Sequence, residues 1–152
     1  MRVLIVAVGK AKPGPEQDLC ALYADRLPWS VDVKEIPPNK DQSPEVRKTR
    51  EAEALLKAVP EDSVIIALDE TGTTESSEKF AKRVAGWRDG GARTLAFIIG
   101  GADGQGAAVR KHARHTLSLG LMTWPHMLVR GLLMEQLYRA QCILTGHPYH
   151  RA

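Results

Sequence analysis

The sequence predicts one α/β domain over residues 1–152, built on a mostly parallel sheet with helices on both faces. Three observations carry this. Short apolar runs, "VLIVAV" at 3–8, "SVIIAL" at 63–68 and "TLAFII" at 94–99, lack the polar alternation of a half-exposed strand and read as buried strands. Segments with helical apolar spacing separate the strands, as crossovers between parallel strands require. The 152 residues hold no repeat, low-complexity tract or linker-like stretch, and a core of that size needs no disulfide or metal.

The elements follow in order. The first strand, 3–8, is bounded by Gly9. "PGPEQDLCALYADRL" (13–27) reads as a helix, with Pro15 in the first turn, where a missing N–H costs nothing. "VDVKEI" (31–36) is a more exposed strand. A polar loop, 37–44, follows, and Ser43-Pro44 open a helix with an apolar stripe at Val46, Thr49, Ala52, Leu55, Leu56 and Val59. The strand over 63–68 leads into a loop over 69–76, then a helix with Phe80, Val84 and Trp87 on one face. The strand over 94–99 ends in "GGADGQG" (100–106), a glycine-rich turn into a short helix around 107–115. "TLSLG" (116–120) is a short strand. Pro125 opens the last helix, which runs to about Leu144, with Gly146 as its stop. Cys20 and Cys142 fall inside predicted helices, far apart and without metal-ligand spacing, and read as small core hydrophobes.

Ligands of open parallel sheets sit beyond the carboxyl ends of the strands, which selects the loops after Leu68, Ile99 and Leu119. "FIIGGADGQGAAVRK" has the strand, glycine turn and helix of a dinucleotide fingerprint. Its nearest match, Gly104-x-Gly106-x-x-Val109, lacks the third small residue, and no acid follows about 20 residues on. The Gly-Lys-Ser/Thr of a P-loop is also missing, so both readings are disfavoured. The glycines then serve either a plain turn with positive φ or a close backbone approach to a flat ligand at Gly100 and Gly101. "LSLGLMTWPHM" sets Leu119, Leu121, Met122 and Trp124 in a connection. Either the fold buries them or they line an apolar pocket suited to an adenine ring and a thioether chain.

The net charge of +3 is unevenly placed. Residues 107–152 hold six Lys/Arg and one acid, Glu135, with all five histidines, while 1–106 hold 15 basic and 17 acidic residues. Such a segment suits RNA or a nucleotide, and also a plain solvated face. No apolar run approaches the roughly 18 residues of a membrane span. No small-residue cleavage site follows the apolar start, and the expectation is a cytoplasmic protein with no membrane partner.

"VAVGK", "IIGGADG", "LSLGLMTWPHMLVRGLLMEQLYRA" and the terminal "HPYHR", spread from residue 6 to residue 151, resemble the ribosomal large-subunit pseudouridine methyltransferase H family of the SPOUT superfamily. Gly120 and Leu121 stand where the family often has Ser and a polar residue, and Ala152 where an acid or lysine is common. The resemblance implies a C-terminal trefoil knot, which periodicity does not show. It implies S-adenosylmethionine, without metal, held by Leu68, by Gly100 and Gly101, and by the run Leu119, Gly120, Leu121, Met122, Thr123 and Trp124. It implies a homodimer through the last helix, whose Leu128, Leu132, Leu133, Leu137, Ala140 and Leu144 offer more apolar surface than one side needs. It also implies methyl transfer to N3 of a pseudouridine in large-subunit (23S) ribosomal RNA, with the RNA or the assembled ribosome as partner.

In such a dimer the tail of one subunit can lie over the cofactor of the other, and "HPYHRA" reads as part of the site. Pro148 stiffens it, and Tyr149 suits stacking on a base. His150 suits accepting or relaying a proton, and Arg151 suits stabilising charge as N3 deprotonates. His126 either orients the cofactor loop or caps the last helix. Two other classes stay open: a non-catalytic RNA-binding module of the same fold, and a small-molecule α/β enzyme using a nucleotide or flavin. The glycine loop and tail weigh against the first, the missing acid and third glycine against the second.

Overall fold

A computed structural model describes residues 1–151. The chain runs β1 (Arg2–Val8), α1 (Pro15–Ala24), β2 (Ser30–Ile36), α2 (Pro44–Lys57), β3 (Ser63–Thr74), α3 (Ser77–Asp89), β4 (Thr94–Ile99), α4 (Ala107–His112), β5 (His115–Ser118) and α5 (His126–Thr145). The five strands form one sheet in the order β2-β1-β4-β3-β5, and every pairing is parallel. Parallel crossovers are right-handed, so the direction of each step decides the face of its helix. β1 to β2 and β3 to β4 step one way, and α1 and α3 cover one face. β2 to β3 and β4 to β5 step the other way, and α2 and α4 cover the opposite face.

The central strand shows why its run is uniformly apolar. Side chains alternate across a strand, so Val3, Ile5 and Ala7 pack towards α1, α3 and α5, while Leu4, Val6 and Val8 pack towards α2 and α4. With both sheet faces covered, no position from 3 to 8 tolerates a polar group. Truncating Leu4 or Ile5 to Ala would cost about 2–5 kcal/mol.

α5 lies between α1 and α3. Gly131 permits the approach to α1, since a Cβ there would stand 2.7 Å from Leu19 Cδ2. Leu133, Met134, Leu137 and Ala140 are buried in this chain's own core. The expectation that Leu133, Leu137 and Ala140 face a partner is therefore corrected. Leu128, Leu132 and Leu144 remain half-buried. Gly146 closes the helix in the left-handed conformation (φ 72°), donating its N–H to Ile143. Of the cysteines, Cys142 is buried and Cys20 half-buried, both in helices.

Several element boundaries differ from the sequence reading, among them β5, which ends at Ser118 and not at Gly120. The predicted loop over 69–76 lies largely within β3, which pairs with β5 on both sides of a bulge. Leu68 and Thr73 both stand opposite Leu117, so Asp69–Gly72 is extruded. Gly72 is required there, because a Cβ would lie 2.7 Å from the Thr116 carbonyl oxygen. The turn-forming residues announced the bulge, while the resumption of pairing depends on β5. α1 stops at Ala24, short of the predicted residue 27, and α4 stops at His112, leaving His115 to begin β5.

Candidate functional site

The carboxyl edge of the sheet holds a cleft of about 540 Å³, walled by the segments after β3, β4 and β5. These are the three loops selected by the strand-end rule. Leu68, Gly100, Gly101, Leu119, Gly120, Met122, Thr123 and Trp124 all line it. Leu121 does not; it is 90% exposed and projects outward. Met122 is 75% and Trp124 41% exposed, so this connection is not covered by the chain's own fold and forms an apolar wall open to solvent.

The glycines of the β4 loop serve the loop itself. A Cβ on Gly100 would stand 2.7 Å from the Gly104 carbonyl oxygen, and one on Gly101 3.0 Å from Val8 Cγ1 and Glu51 Oε1. Gly104 has φ 87° and donates its N–H to the Gly101 carbonyl. The turn reading of these glycines is thus the one the packing supports. Arg47 on α2 clamps the loop, with Nε 2.8 Å and Nη2 3.1 Å from the Asp103 carboxylate, and also donates to the carbonyls of Asp41 and Gln42. The hydrogen bonds from Arg47 hold the Asp103 carboxyl below its ordinary range. Gln105, buried, ties the strand ends together, as its Nε2 donates to Leu68 O at 3.1 Å and Ile98 O at 2.9 Å.

The β5 connection is held similarly. Ser118 Oγ donates to Gly120 O at 2.8 Å and accepts from Gly120 N–H, and Gly120 takes φ 136°. Thr123 Oγ1 donates to Glu70 Oε2 at 2.9 Å, joining this loop to the β3 bulge. Asp69 accepts from Thr71 N–H and Oγ1, with Arg110 at 3.4 Å. His126 is the first residue of α5 and lines the cleft; no side chain caps that helix, so the capping role is corrected.

A cleft of this volume suits a cofactor-sized ligand. Leu68, Leu119, Met122 and Trp124 offer apolar surface for a flat ring and a thioether chain, and Asp69 and Glu70 put carboxylates at the rim for cationic or hydroxyl groups. The lining therefore fits S-adenosylmethionine. Among the described residues no three His, Cys, Asp or Glu side chains converge as a metal site.

The tail lies elsewhere. Tyr149, His150 and Arg151 do not line the cleft. Tyr149 folds back on α5, where its hydroxyl donates to Glu135 Oε1 at 2.9 Å and lies 3.3 Å from the Tyr23 hydroxyl. Its ring meets Tyr138 edge-on, with centroids 4.8 Å apart, under the Arg139 guanidinium. Burial, then the Tyr23 and Glu135 contacts, raises the Tyr149 pKa well above the ordinary phenol value. His150 Nε2 is 2.8 Å from Glu78 Oε1, and Nδ1 is 3.2 Å from Arg139 Nη1. Glu78, at the start of α3, is pushed down to about 2 by its own backbone N–H and the His150 contact. Arg151 is exposed and, among the described residues, has no hydrogen-bond partner. Glu135 also lines a second pocket of about 310 Å³ that shares Leu117, Leu119, Gly120 and Trp124 with the cleft, so one loop separates the two.

Sequence reasoning missed Gln105, Asp69, Glu70 and the Glu78–Glu135 pair. The acidic "DE" directly after a buried strand was a usable signal for the middle two. Gln105 sits among turn residues, and Glu78 and Glu135 look like ordinary helix-surface acids.

Residues 1–150 match the family model described as "Predicted SPOUT methyltransferase". The ribosomal RNA large subunit methyltransferase H of Rhodospirillum centenum is 52% identical over 152 residues, covering 100% of both chains. That of Paramagnetospirillum magneticum is 56% identical, covering 99% of both. A crystal structure of the SpoU methyltransferase AviRb from Streptomyces viridochromogenes with AdoMet aligns at TM-score 0.49 and 15% identity, over 92% of this chain and 58% of that one.

Proposed function

The chain belongs to the SPOUT methyltransferase family, alongside the large-subunit ribosomal RNA methyltransferases H, and on that premise we propose that it methylates N3 of a pseudouridine in large-subunit ribosomal RNA. The observation that carries the reading is the convergence of the β3, β4 and β5 loops on one cleft of cofactor size. S-adenosylmethionine, when bound, supplies an electrophilic methyl group on a sulfonium. Leu119, Met122 and Trp124 would exclude water from it, while Gln105 and Arg47 keep two cleft walls in register. As N3 loses its proton, negative charge spreads to the flanking carbonyl oxygens of the base, and the guanidinium of Arg151 would stabilise it there.

Since none of the described tail residues, 147–151, lines this chain's own cleft, the tail acts at the cleft of a second copy, in a homodimer. The exposed Leu121, with the solvent-accessible parts of Met122 and Trp124 and the half-buried Leu128 and Leu132, supplies apolar surface for that association. A trefoil threading of the family's kind is compatible with the path after β5. That strand lies at the sheet edge outside β3, yet the chain then returns to set α5 between α1 and α3. The reaction belongs in the cytoplasm, where ribosomes are, and no helix among the described residues is long and apolar enough to cross a membrane.

The test uses purified protein and S-adenosylmethionine carrying a labelled methyl group. Free ribosomal RNA, isolated large subunits and assembled ribosomes, all lacking the modification, are offered in separate arms. Label recovered in a nucleoside that co-elutes with N3-methylpseudouridine is expected in at least one arm. Label in another nucleoside, or no transfer in any arm, would refute the reading.

A further inference from the structure

The three tail side chains differ in what they are free to do. The Tyr149 hydroxyl donates to Glu135, and its ring is held between Tyr138 and Arg139. Both nitrogens of His150 are engaged. Arginine can only donate, so Nδ1 accepts from Arg139 and Nε2–H donates to Glu78. Neither nitrogen is left to take a proton from a base, and the Arg139 guanidinium already stands over the Tyr149 ring. Arg151, exposed one residue beyond these anchors, remains. Arg139 links the two anchors, since its guanidinium also pairs with Glu135.

We propose that Glu135 and Glu78 are positioning residues for the methyl-transfer reaction: they fasten Tyr149 and His150 so that Arg151, rather than either of these, is presented to the RNA base. The inference rests on the methyltransferase reading above and deepens it. Tyr149 and His150 then act through where they hold the chain, not by stacking or proton transfer. A rigid anchor matters because catalysis by an electrostatic donor depends on its orientation before the charge develops. An arginine on a loose tail would lose much of that advantage.

Tyr149→Phe separates the two roles, since it keeps the aromatic ring and removes only the hydroxyl bonded to Glu135. Three measurements are made on Tyr149→Phe, Glu135→Ala and Glu78→Ala: release of terminal residues by carboxypeptidase, S-adenosylmethionine affinity by calorimetry, and kcat and KM on the best ribosomal substrate. Each variant is expected to speed tail release about fivefold or more and to lower kcat about tenfold, with cofactor affinity within twofold of wild type. Tyr149→Phe combined with Glu135→Ala should lose less than the sum of the two, because the Tyr149–Glu135 bond is gone in both, while Glu135 also pairs with Arg139 and the Tyr149 hydroxyl also meets Tyr23. A Tyr149→Phe protein with wild-type tail release and kcat would overturn the proposal, as would additive losses in the double variant. Tail release does not depend on turnover, so a wild-type protein with no methyl transfer would refute the methyltransferase reading and still leave the anchoring judged.

Discussion

Replacing Gly100 by Ala tests whether that glycine serves the loop or the ligand. A Cβ built there would meet Gly104 O at 2.7 Å, Gly104 C at 2.9 Å and Gln105 N at 3.2 Å. All three are backbone atoms of the same turn, so no side chain can rotate away and the turn itself must open. Overpacking of this kind costs about 1–3 kcal/mol. For a chain of this length each kcal/mol lowers Tm by about 2–4 °C, which gives a fall of about 2–12 °C, and Gly100→Val should exceed it. The opening turn carries Gln105 with it and strains its bonds to Leu68 O and Ile98 O, so cofactor affinity should drop in the same variant. Gly104→Ala is the control. Its Cβ has open space, and only the positive φ of 87° is penalised, by about 1–2 kcal/mol. Thermal unfolding and calorimetry on the three variants decide the matter. A Gly100→Ala protein with wild-type Tm but tenfold weaker cofactor binding would refute the reasoning, because the glycine would then face the ligand and not its own loop.

Leu137→Glu should unfold the chain, since Leu137 is fully buried, whereas Leu121→Asp should leave the chain folded, with a Tm lowered only by the lost association, and yield monomers in sedimentation; a wild-type protein that sediments as a monomer at micromolar concentration contradicts the dimer. Deleting residues 147–152 should abolish RNA methylation and spare cofactor binding. It should also lower stability by about 1–3 kcal/mol, through the Tyr149–Glu135 hydrogen bond and the Tyr138 ring contact, and unchanged unfolding would deny those contacts. Acidification should destabilise the protein in two windows. Burial, with Arg83 nearby, lowers the His115 pKa from 6.5, so the unfolded chain takes up that proton first and stability falls as pH drops below about 6.5. Hydrogen bonds from Arg83 lower Glu75 from 4.5, so its contribution is complete above that value and is lost as pH falls through the depressed one. His115→Gln should flatten the upper window in urea titrations, and an unchanged slope there would place the titration on another group.

The local chemistry of the sequence determined most of the fold. The uniformly apolar 3–8 run could only be a central strand covered on both faces, because a strand with one wet face alternates. Pro44, Pro125 and Gly146 marked helix ends through backbone geometry that holds in any context. The strand-end rule then reached the three cleft loops without coordinates. Tertiary structure decided what depends on pairs of distant residues. β3 resumes past its bulge only because β5 lies beside it. Leu133 and Leu137 turn inward because α1 and α3 flank α5. Glu78 and Glu135 become tail anchors only when the chain folds back to bring Tyr149 and His150 to them, across separations of 14 and 72 residues. A glutamate on a helix surface has the same sequence signature whether it faces water or a tyrosine hydroxyl, since what differs is the neighbour, and the neighbour is chosen by the fold.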